Sequence, residues 1–275
     1  MATRQERRTL LRNAVKDVSA HGISPRQGIW GTVAATRMVL DVLESSSSQR
    51  ASEAAKRAVG LFELSLKHNP PEAPLACARG CAFCCHGFVT ATAPEVFMLA
   101  RALRAANKDI TPVIERVRMT DAVTRGLGKP DRFAKRQPCS MLVNNECSGY
   151  AGRPLACRAF VSFSLQKCEQ AFVTGAEDIP TPAISGFLRR GCHQALWSGL
   201  AAMGLPFLGY ELNEALLVAL ENHDAEARWL AGEDVFAAVT VDDVTVALGD
   251  PKVRLYLDVI AAAAAGREPP RNEWI

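Results

Sequence analysis

Four cysteines and a histidine lie within eleven residues, in the stretch CARGCAFCCHG at positions 77–87. Cys77, Cys81 and Cys84 are separated by three and then two residues, a spacing that lets successive thiolates converge on one centre from a single bend of the backbone. Gly80 eases that bend, because glycine adopts conformations that other residues avoid. Sites rich in thiolate and poor in histidine select zinc or iron–sulfur clusters over magnesium or calcium. The stretch therefore predicts metal chemistry.

A second segment, with no sustained helical period, adds Cys139, Cys147 and Cys157. The candidate metal ligands are therefore seven: Cys77, Cys81, Cys84, Cys85, Cys139, Cys147 and Cys157. A tetrahedral zinc or a four-iron cluster takes about four protein ligands, so the candidates exceed one site. The surplus allows two centres, or one centre with catalytic or resolving thiols. We expect the adjacent Cys84 and Cys85 to point in different directions, so that one serves a second metal position, a neighbouring iron or the core.

Three arginines, Arg79, Arg153 and Arg158, lie inside the two cysteine segments. Four thiolates around zinc or a four-iron cluster leave a net charge of about −2, which needs nearby donors or cations. These arginines are therefore candidate cofactor-binding residues. The alternative is that they make ordinary surface or carboxylate contacts.

The remaining cysteines and the nearby histidine carry less signal. Cys168 and Cys192 stand alone on segments that are predicted to be helical, where a free cysteine behaves as a small buried hydrophobic residue. His86 directly follows the cluster. We interpret it as a bystander, with a role as ligand or hydrogen-bond donor left open.

The two cysteine segments together resemble the signature of the YkgJ-type family of zinc- or iron-chelating cysteine-cluster proteins. That family pairs C-x3-C-x2-C-C with a later cysteine and then C-x-x-Y-x-x-R-P-x-x-C-R. This chain has each part, and the last reads Cys147, Tyr150, Arg153, Pro154, Cys157 and Arg158. The resemblance covers Cys77 to Phe160 and implies metal chelation by the matched cysteines, but it supplies no reaction.

Two enzyme groups share parts of this pattern. The flagellin lysine N-methylases have a similar cysteine cluster, which implies that an iron–sulfur centre and methyl transfer are possible on such a scaffold, although no local motif for S-adenosylmethionine is present here. Radical S-adenosylmethionine enzymes hold a four-iron cluster with the arrangement seen at Cys77, Cys81, Phe83 and Cys84. Those enzymes are built on repeated β/α units, and no such alternation follows the motif here.

Composition bounds the partners and the compartment. With 275 residues, 48% of them hydrophobic, the chain can bury a sizeable core. A net charge of only +3 argues against nucleic-acid or membrane binding, and leaves a protein or small-molecule partner of unknown identity. The charged start MATRQERRTLL is unlike a signal peptide, so we expect a cytoplasmic protein. In the cytoplasm, clustered cysteines more often bind metal or take part in catalysis than form disulfides.

Most of the sequence has helical periodicity, and the prolines of HNPPEAP interrupt it before the first cysteine segment. The predicted organisation is an N-terminal helical segment at 1–70, a cysteine-cluster metal-binding region at 71–165 and a C-terminal helical segment at 166–275, packed as one unit. Thr92 to Glu95 has the form of a helix capping box, and FAAVTVDDVTVALG alternates enough for a short hairpin. The predicted fold is mainly α, built round a loop-rich, cysteine-ligated metal centre.

The leading functional interpretation is a metal-binding protein that holds an iron–sulfur cluster, four-iron (4Fe-4S) favoured, or zinc, with a redox or metal-handling role. One alternative is a cluster-dependent enzyme that acts on a peptide or small molecule, of methyltransferase-like or radical S-adenosylmethionine-like type. A second alternative is a structural zinc module for protein interaction. Whether the protein is an enzyme is left open by the sequence.

Overall fold

The computed structural model describes residues 25–175, 178–242 and 250–266. Within these ranges the chain is mainly α-helical, as predicted, and its strands are short. The helices are α1 (Pro25–Leu43), α2 (Arg50–His68), α3 (Ala93–Ala106), α4 (Thr111–Thr124), α5 (Lys129–Ala134), α6 (Leu155–Ala159), α7 (Leu165–Thr174), α8 (Ala183–Ala202), α9 (Leu212–Glu221), α10 (Ala225–Leu230) and α11 (Pro251–Ala264). The strands are β1 (Thr90–Thr92), β2 (Leu142–Val143), β3 (Glu146–Cys147) and β4 (Gly209–Glu211). None of the described helices is long and apolar enough to cross a bilayer.

Helices α1, α2, α8 and α11 pack against one another and form one side of the core. The small residues of helix α2 recur at helical spacing, so they lie on one face of the helix. The buried residues of this face include Ala51, Ala54, Ala55 and Ala58. Gly199 allows α1 and α8 to approach closely, because a Cβ at this position would lie 2.7 Å from Val39 Cγ1. Small residues on facing helices therefore set the spacing of this layer.

Strands β1 and β4, with the helices that follow them, link the helical core to the cysteine region. β1 pairs with β4 in antiparallel register, with Thr90 opposite Glu211, and each strand runs directly into a helix, α3 or α9. The predicted capping box at the start of α3 is confirmed: Glu95 Oε2 accepts hydrogen bonds from the amide of Thr92 at 2.9 Å and from its hydroxyl at 2.8 Å. Helix α3 packs on α2 and α9, and α9 packs on α4.

The cysteine segments lie between these helices as loops and short turns. A 3-10 turn at Phe83–His86 packs on α7, and a second at Tyr150–Gly152 packs on α3. The predicted hairpin in FAAVTVDDVTVALG falls in part on residues 243–249, which lie outside the described residues. Immediately before them, Val241 forms an antiparallel bridge with Tyr210.

Candidate metal centre

The first cysteine segment is a bend followed by a tight turn. Gly80 has φ of 89°, a conformation that favours glycine, and the amide of Cys81 donates to the carbonyl of Ala78 at 3.1 Å. The 3-10 turn follows at once, with the amide of Cys85 donating to the carbonyl of Ala82 at 2.9 Å. The expectation that Gly80 allows a bend is therefore met.

The N-terminal end of the first cysteine segment is hydrogen-bonded to the residues that follow α6. The amide of Ala76 donates to the carbonyl of Ser162 at 2.9 Å. In return, the amide of Ser162 donates to the sulfur of Cys77 at 3.3 Å. Amide donors to sulfur stabilise the thiolate form, so Cys77 is held in place by a contact suited to a metal ligand.

The second cysteine segment contains a short hairpin that the sequence analysis treated as irregular. β2 and β3 pair antiparallel, with Leu142 opposite Cys147. Asn144 and Asn145 make the turn, with φ of 52° and 61°, as asparagine tolerates the left-handed conformation that a two-residue hairpin turn requires. Cys139 precedes β2 and its carbonyl accepts from the amide of Leu142 at 2.9 Å. The open end of the hairpin therefore carries both Cys139 and Cys147.

Three contacts join the two segments. The amide of Cys139 donates to the carbonyl of Cys85 at 2.7 Å. Arg79 makes a two-pronged ion pair with Glu146, with N–O distances of 2.6 and 2.7 Å, on the exposed side. Arg132 provides the third contact from the buried side. Two stretches that are far apart in sequence are thus held against each other.

Cys157 is placed by a short helix that is fastened to α3. The amide of Leu155, the first residue of α6, donates to Glu95 Oε1 at 2.8 Å. Gly152 lets the preceding turn approach α3, since a Cβ at this position would lie 2.8 Å from the Cα of Leu99 and from the Cβ of Ala102. The tight turn before α6 therefore directs this helix, and Cys157 with it, toward the other cysteines.

Electrostatic interactions between thiols link eight of the nine cysteines. Cys77 and Cys81 each interact with Cys84 and with Cys168. Cys157 interacts with Cys139, Cys147 and Cys84, and Cys84 is hydrogen-bonded to Cys85. We call this set the thiol cluster: Cys77, Cys81, Cys84, Cys85, Cys139, Cys147, Cys157 and Cys168.

Two features of the thiol cluster differ from the expectations. The side chains of the adjacent Cys84 and Cys85 contact each other rather than pointing apart, because the 3-10 turn places successive residues on neighbouring sides of a tight coil. Cys168 is buried on α7, as the hydrophobic interpretation predicts, but its thiol faces Cys77 and Cys81. Cys192 is also buried, and burial alone accounts for its raised pKa of about 12.

Burial raises the pKa of several of these thiols, which favours their protonated form in the absence of metal. It raises the pKa of Cys139 to about 11, with a smaller contribution from Cys147. Burial is also the largest cause of the raised pKa of Cys157, followed by the neighbouring Cys139. For Cys84 the largest cause is the hydrogen bond to Cys85. Because a metal binds the thiolate, binding here must displace protons.

The three arginines named in the sequence analysis are placed differently from one another. Arg153 lowers the pKa of Cys77, Cys84, Cys147 and Cys157 by its charge, so it lies at the thiol cluster. Its guanidinium donates to the carbonyl of Cys157 and lies 5.0 Å from the centre of the Tyr150 ring.

The other two arginines have carboxylate partners. Arg158 pairs with Glu63, donates to the carbonyl of Ala151 at 2.9 Å and lowers the pKa of Cys147. Arg79 is largely exposed and pairs with Glu146. Of the three arginines, Arg153 is therefore the best candidate to balance the charge of the thiolates.

His86 has contacts of its own. Its Nδ1 lies 3.2 Å from the carbonyl of Ala82, and its ring centre lies 4.8 Å from that of Phe172 on α7. These contacts hold α7, and with it Cys168, against the first cysteine segment.

Comparison with known proteins bears on the segment that carries these cysteines. Residues 76–175 match the family model CxxCxxCC, described as "Putative zinc- or iron-chelating domain". This is the YkgJ-type family. The resemblance noted in the sequence is therefore confirmed, and we refer to residues 76–175 as the CxxCxxCC segment. No curated protein and no solved structure matches the chain.

The CxxCxxCC segment contains all eight members of the thiol cluster, including Cys168. In the part of the chain that the structure describes, no three Cys, His, Asp or Glu side chains are arranged to hold a metal ion as they stand. The thiols are neighbours rather than an assembled coordination shell. Their chemistry nonetheless fits a soft metal, since the donors are sulfur and cationic side chains lie beside them.

Besides Cys168, Arg132 is a residue of the CxxCxxCC segment that the sequence did not mark as part of the site. Arg132 on α5 is 0% exposed and interacts electrostatically with Cys139. Its Nε and Nη2 have no hydrogen-bond partner among the described residues. A buried cation with two unused donors is rare, and its presence next to a thiol supports an anionic group at this place. A lone arginine in KPDRFA gave no signal of this in the sequence.

Proposed function

We propose that the thiol cluster holds an iron–sulfur cluster, four-iron favoured, or else zinc, and that the protein has a redox or metal-handling role. The observation that carries the proposal is the network of interactions among eight thiols from three separate stretches of chain, in which Cys84 interacts with members of both cysteine segments. A single tetrahedral zinc uses about four of them. The excess, and the direct contact between Cys84 and Cys85, favour a centre that contains more than one metal atom.

The proposed ligands divide into two sides that meet at the Cys84–Cys85 pair. One side consists of Cys77, Cys81 and Cys168, and the other of Cys139, Cys147 and Cys157. Each side becomes a set of four when it is completed by Cys84 or Cys85. This division supports either two mononuclear centres or one polynuclear centre that spans both sides.

Charge balance supports the same proposal. Thiolate-ligated centres carry negative charge that the surroundings must offset, and Arg153 lowers the pKa of Cys77 on one side and of Cys147 and Cys157 on the other. When bound, the metal or cluster supplies soft Lewis acidity or one-electron redox chemistry. The residues of this chain would bind it and balance its charge.

The two alternative functions are a structural zinc module and a cluster-dependent enzyme. A structural zinc module would contain zinc alone and no visible absorption. For a cluster-dependent enzyme, a pocket at the thiols would be expected. The cavity of about 230 Å³ between α3, α9 and α10 is lined by Arg101, Arg104 and His223, among others, and by none of the cysteines. It gives the enzyme alternative no support.

The proposal places the protein in a reducing compartment such as the cytoplasm, because every ligand is a free thiol. The role requires a partner that exchanges electrons or metal with the centre, either a protein or a small molecule.

Anaerobic purification followed by metal and sulfide analysis and an absorption spectrum tests the proposal. We expect iron and sulfide in stoichiometric amounts with broad visible absorption. A colourless protein with stoichiometric zinc would contradict the iron–sulfur assignment but retain a thiolate metal site. Cys168→Ala tests the added ligand: we expect it to reduce the metal content, whereas Cys192→Ala, which removes a buried thiol outside the cluster, should not. Equal metal content in the two variants would remove Cys168 from the ligand set.

A further inference from the structure

Arg132 holds the backbone on both sides of the contact between the two cysteine segments. Its Nη1 donates to the carbonyl of His86, which follows Cys85, at 3.0 Å. The same nitrogen donates to the carbonyl of Gln137, two residues before Cys139, at 2.5 Å. One guanidinium nitrogen therefore bridges the two stretches that also meet through the Cys139 amide.

The rest of the guanidinium is not used by this bridge. Nε and Nη2 are buried and have no hydrogen-bond partner in the described ranges. Burying a donor without a partner is costly, and burying a positive charge costs more unless a counter-charge lies nearby. The fold therefore retains an energetically unfavourable group at this position.

No carboxylate of the described residues pairs with the buried positive charge of Arg132. None of them forms an ion pair with Arg132 within 4.0 Å. Glu211 interacts with it electrostatically, but the Glu211 carboxylate is itself engaged by the amide of Glu214 at 2.9 Å and the side chain of Asn213 at 3.0 Å. Arg132 also interacts electrostatically with Cys139, which would carry negative charge as a metal-bound thiolate.

We propose that Arg132 is a positioning residue of the metal centre, and that its charge and its free N–H groups stabilise the thiolate ligands on the Cys139 side. The inference rests on the proposed function, because the counter-charge is a metal-bound thiolate. Charge-assisted hydrogen bonds to a thiolate lower its electron donation to the metal and orient it.

Arg132 and Arg153 act on different members of the thiol cluster. Arg153 acts on Cys77, Cys84, Cys147 and Cys157, whereas Arg132 acts on Cys139. The centre thus has one cation supplied by the R-P-x-x-C motif and a second supplied by α5, outside that motif. Arg132 is also the only buried residue of this six-residue helix.

Arg116 offers a matched control, because it also supports the hairpin by holding a carbonyl. Its Nε donates to the carbonyl of Ser140 at 2.6 Å, and its Nη2 lies 3.3 Å from the hydroxyl of Ser148. It is only partly buried. A purely structural arginine at the hairpin should behave as Arg116 does.

The test compares Arg132→Gln and Arg132→Lys with Arg116→Gln and Arg116→Lys in the full-length protein loaded with cobalt(II) alone. Zinc competition measures affinity, the sulfur-to-cobalt charge-transfer band reports electron donation by the thiolates, and circular dichroism of the metal-free proteins reports folding. Arg132→Gln should weaken metal binding by about 10- to 100-fold and shift the band to lower energy. Arg132→Lys, which keeps the charge, should recover part of both effects.

The outcomes separate this inference from the proposed function. If the wild-type protein binds no cobalt(II) and also contains neither iron nor zinc after anaerobic purification, the proposed function fails. If the wild type binds metal and the Arg132 variants match their Arg116 counterparts in affinity and band energy, the proposed function stands and the role of Arg132 is refuted. Should Arg132→Gln not fold, the Arg132→Lys and Arg116→Lys pair decides the question by the same comparison.

Discussion

The amide of Cys139 donates a hydrogen bond to the carbonyl oxygen of Cys85 at 2.7 Å. These residues are more than fifty positions apart, and each belongs to a different part of the cysteine pattern. The bond fixes the 3-10 turn against the entry to the β2–β3 hairpin, so that the two cysteine segments lie side by side. A metal centre that draws ligands from both segments would therefore depend on tertiary structure and not on either motif alone.

Cys81→Ser is expected to remove most of the bound metal and to lower the stability of the protein. Metal binding contributes to the folding free energy when the site forms with the fold, and we expect a loss of about 5 kcal/mol, or about 10–20 °C in Tm. Metal analysis and thermal unfolding of the same sample measure both effects. Cys192→Ala is the control and should keep its metal, at a packing cost of about 1 kcal/mol. Full metal content and wild-type melting in Cys81→Ser would exclude it as a ligand.

Metal affinity should rise with pH, since the ligands must lose protons. In the metal-free fold, burial raises the pKa of Cys139 from 9.0 to about 11. A thiol whose pKa is higher in the folded state stabilises the fold while protonated, and this contribution is lost as pH rises from about 9 to 11. The metal-free protein should therefore lose stability across that window, while the metal-bound protein, already holding thiolates, should not. Zinc titrations in buffers of different ionisation enthalpy would show the released protons, and an uptake free of proton release would contradict the assignment.

Glu95→Gln should destabilise the protein by about 3 kcal/mol. Burial alone would raise the pKa of Glu95, but His193 and the amides of Thr92 and Leu155 outweigh it, and the pKa lies below the usual 4.5. A lowered carboxyl pKa stabilises the fold above the unfolded value and is lost as pH falls through the folded value. The wild type should therefore lose stability below about pH 4.5.

The comparison for this variant is Glu53→Gln, which changes an exposed carboxylate in the first turn of α2. Chemical unfolding at pH 7 and at acidic pH distinguishes the two positions. Glu95→Gln should be less stable at pH 7 and less sensitive to acid than the wild type, whereas Glu53→Gln should resemble the wild type. An acid response of Glu95→Gln equal to that of wild type would show that this carboxylate does not anchor α6.

Gly152→Ala should lower stability by about 1–3 kcal/mol, because the added Cβ would lie 2.8 Å from the backbone of Leu99. The strain falls on the turn that leads into α6, so the metal affinity should fall as well. Gly60→Ala provides the opposite case: no atom lies within 4 Å of its added Cβ on the exposed face of α2, and replacing glycine within a helix should stabilise by about 1 kcal/mol. Denaturant unfolding with metal analysis tests the pair. Wild-type stability and affinity in Gly152→Ala would mean that the close approach to α3 is unimportant.

Helical periodicity, the Thr-x-x-Glu pattern and cysteine spacing are local signals, so the sequence was sufficient to predict a mainly helical fold, the capping box and the CxxCxxCC segment. The β2–β3 hairpin was missed although Asn144 and Asn145 are a recognisable turn pair, since the flanking strands are only two residues long. The pairing of β1 with β4 was beyond reach because it joins Thr90 to Glu211 across the whole fold.

The roles of Cys168 and Arg132 depend on tertiary structure in the same way. Cys168 is isolated in sequence, and only the packing of α7 on the 3-10 turn brings its thiol beside Cys77 and Cys81. Arg132 is a charged residue on a short helix and would be expected at the surface, yet it is fully buried. No local pattern predicts that an arginine will be enclosed, because burial is decided by the elements that pack around it.

X-ray absorption at the edge of the bound metal, on anaerobically prepared protein, tests the central claim most directly, since it counts the atoms around the metal. We predict a first shell of about four sulfur atoms at about 2.3 Å, with further metal or sulfide scattering if the centre is an iron–sulfur cluster. A first shell dominated by nitrogen or oxygen, or a protein that takes up neither iron nor zinc, would contradict the account.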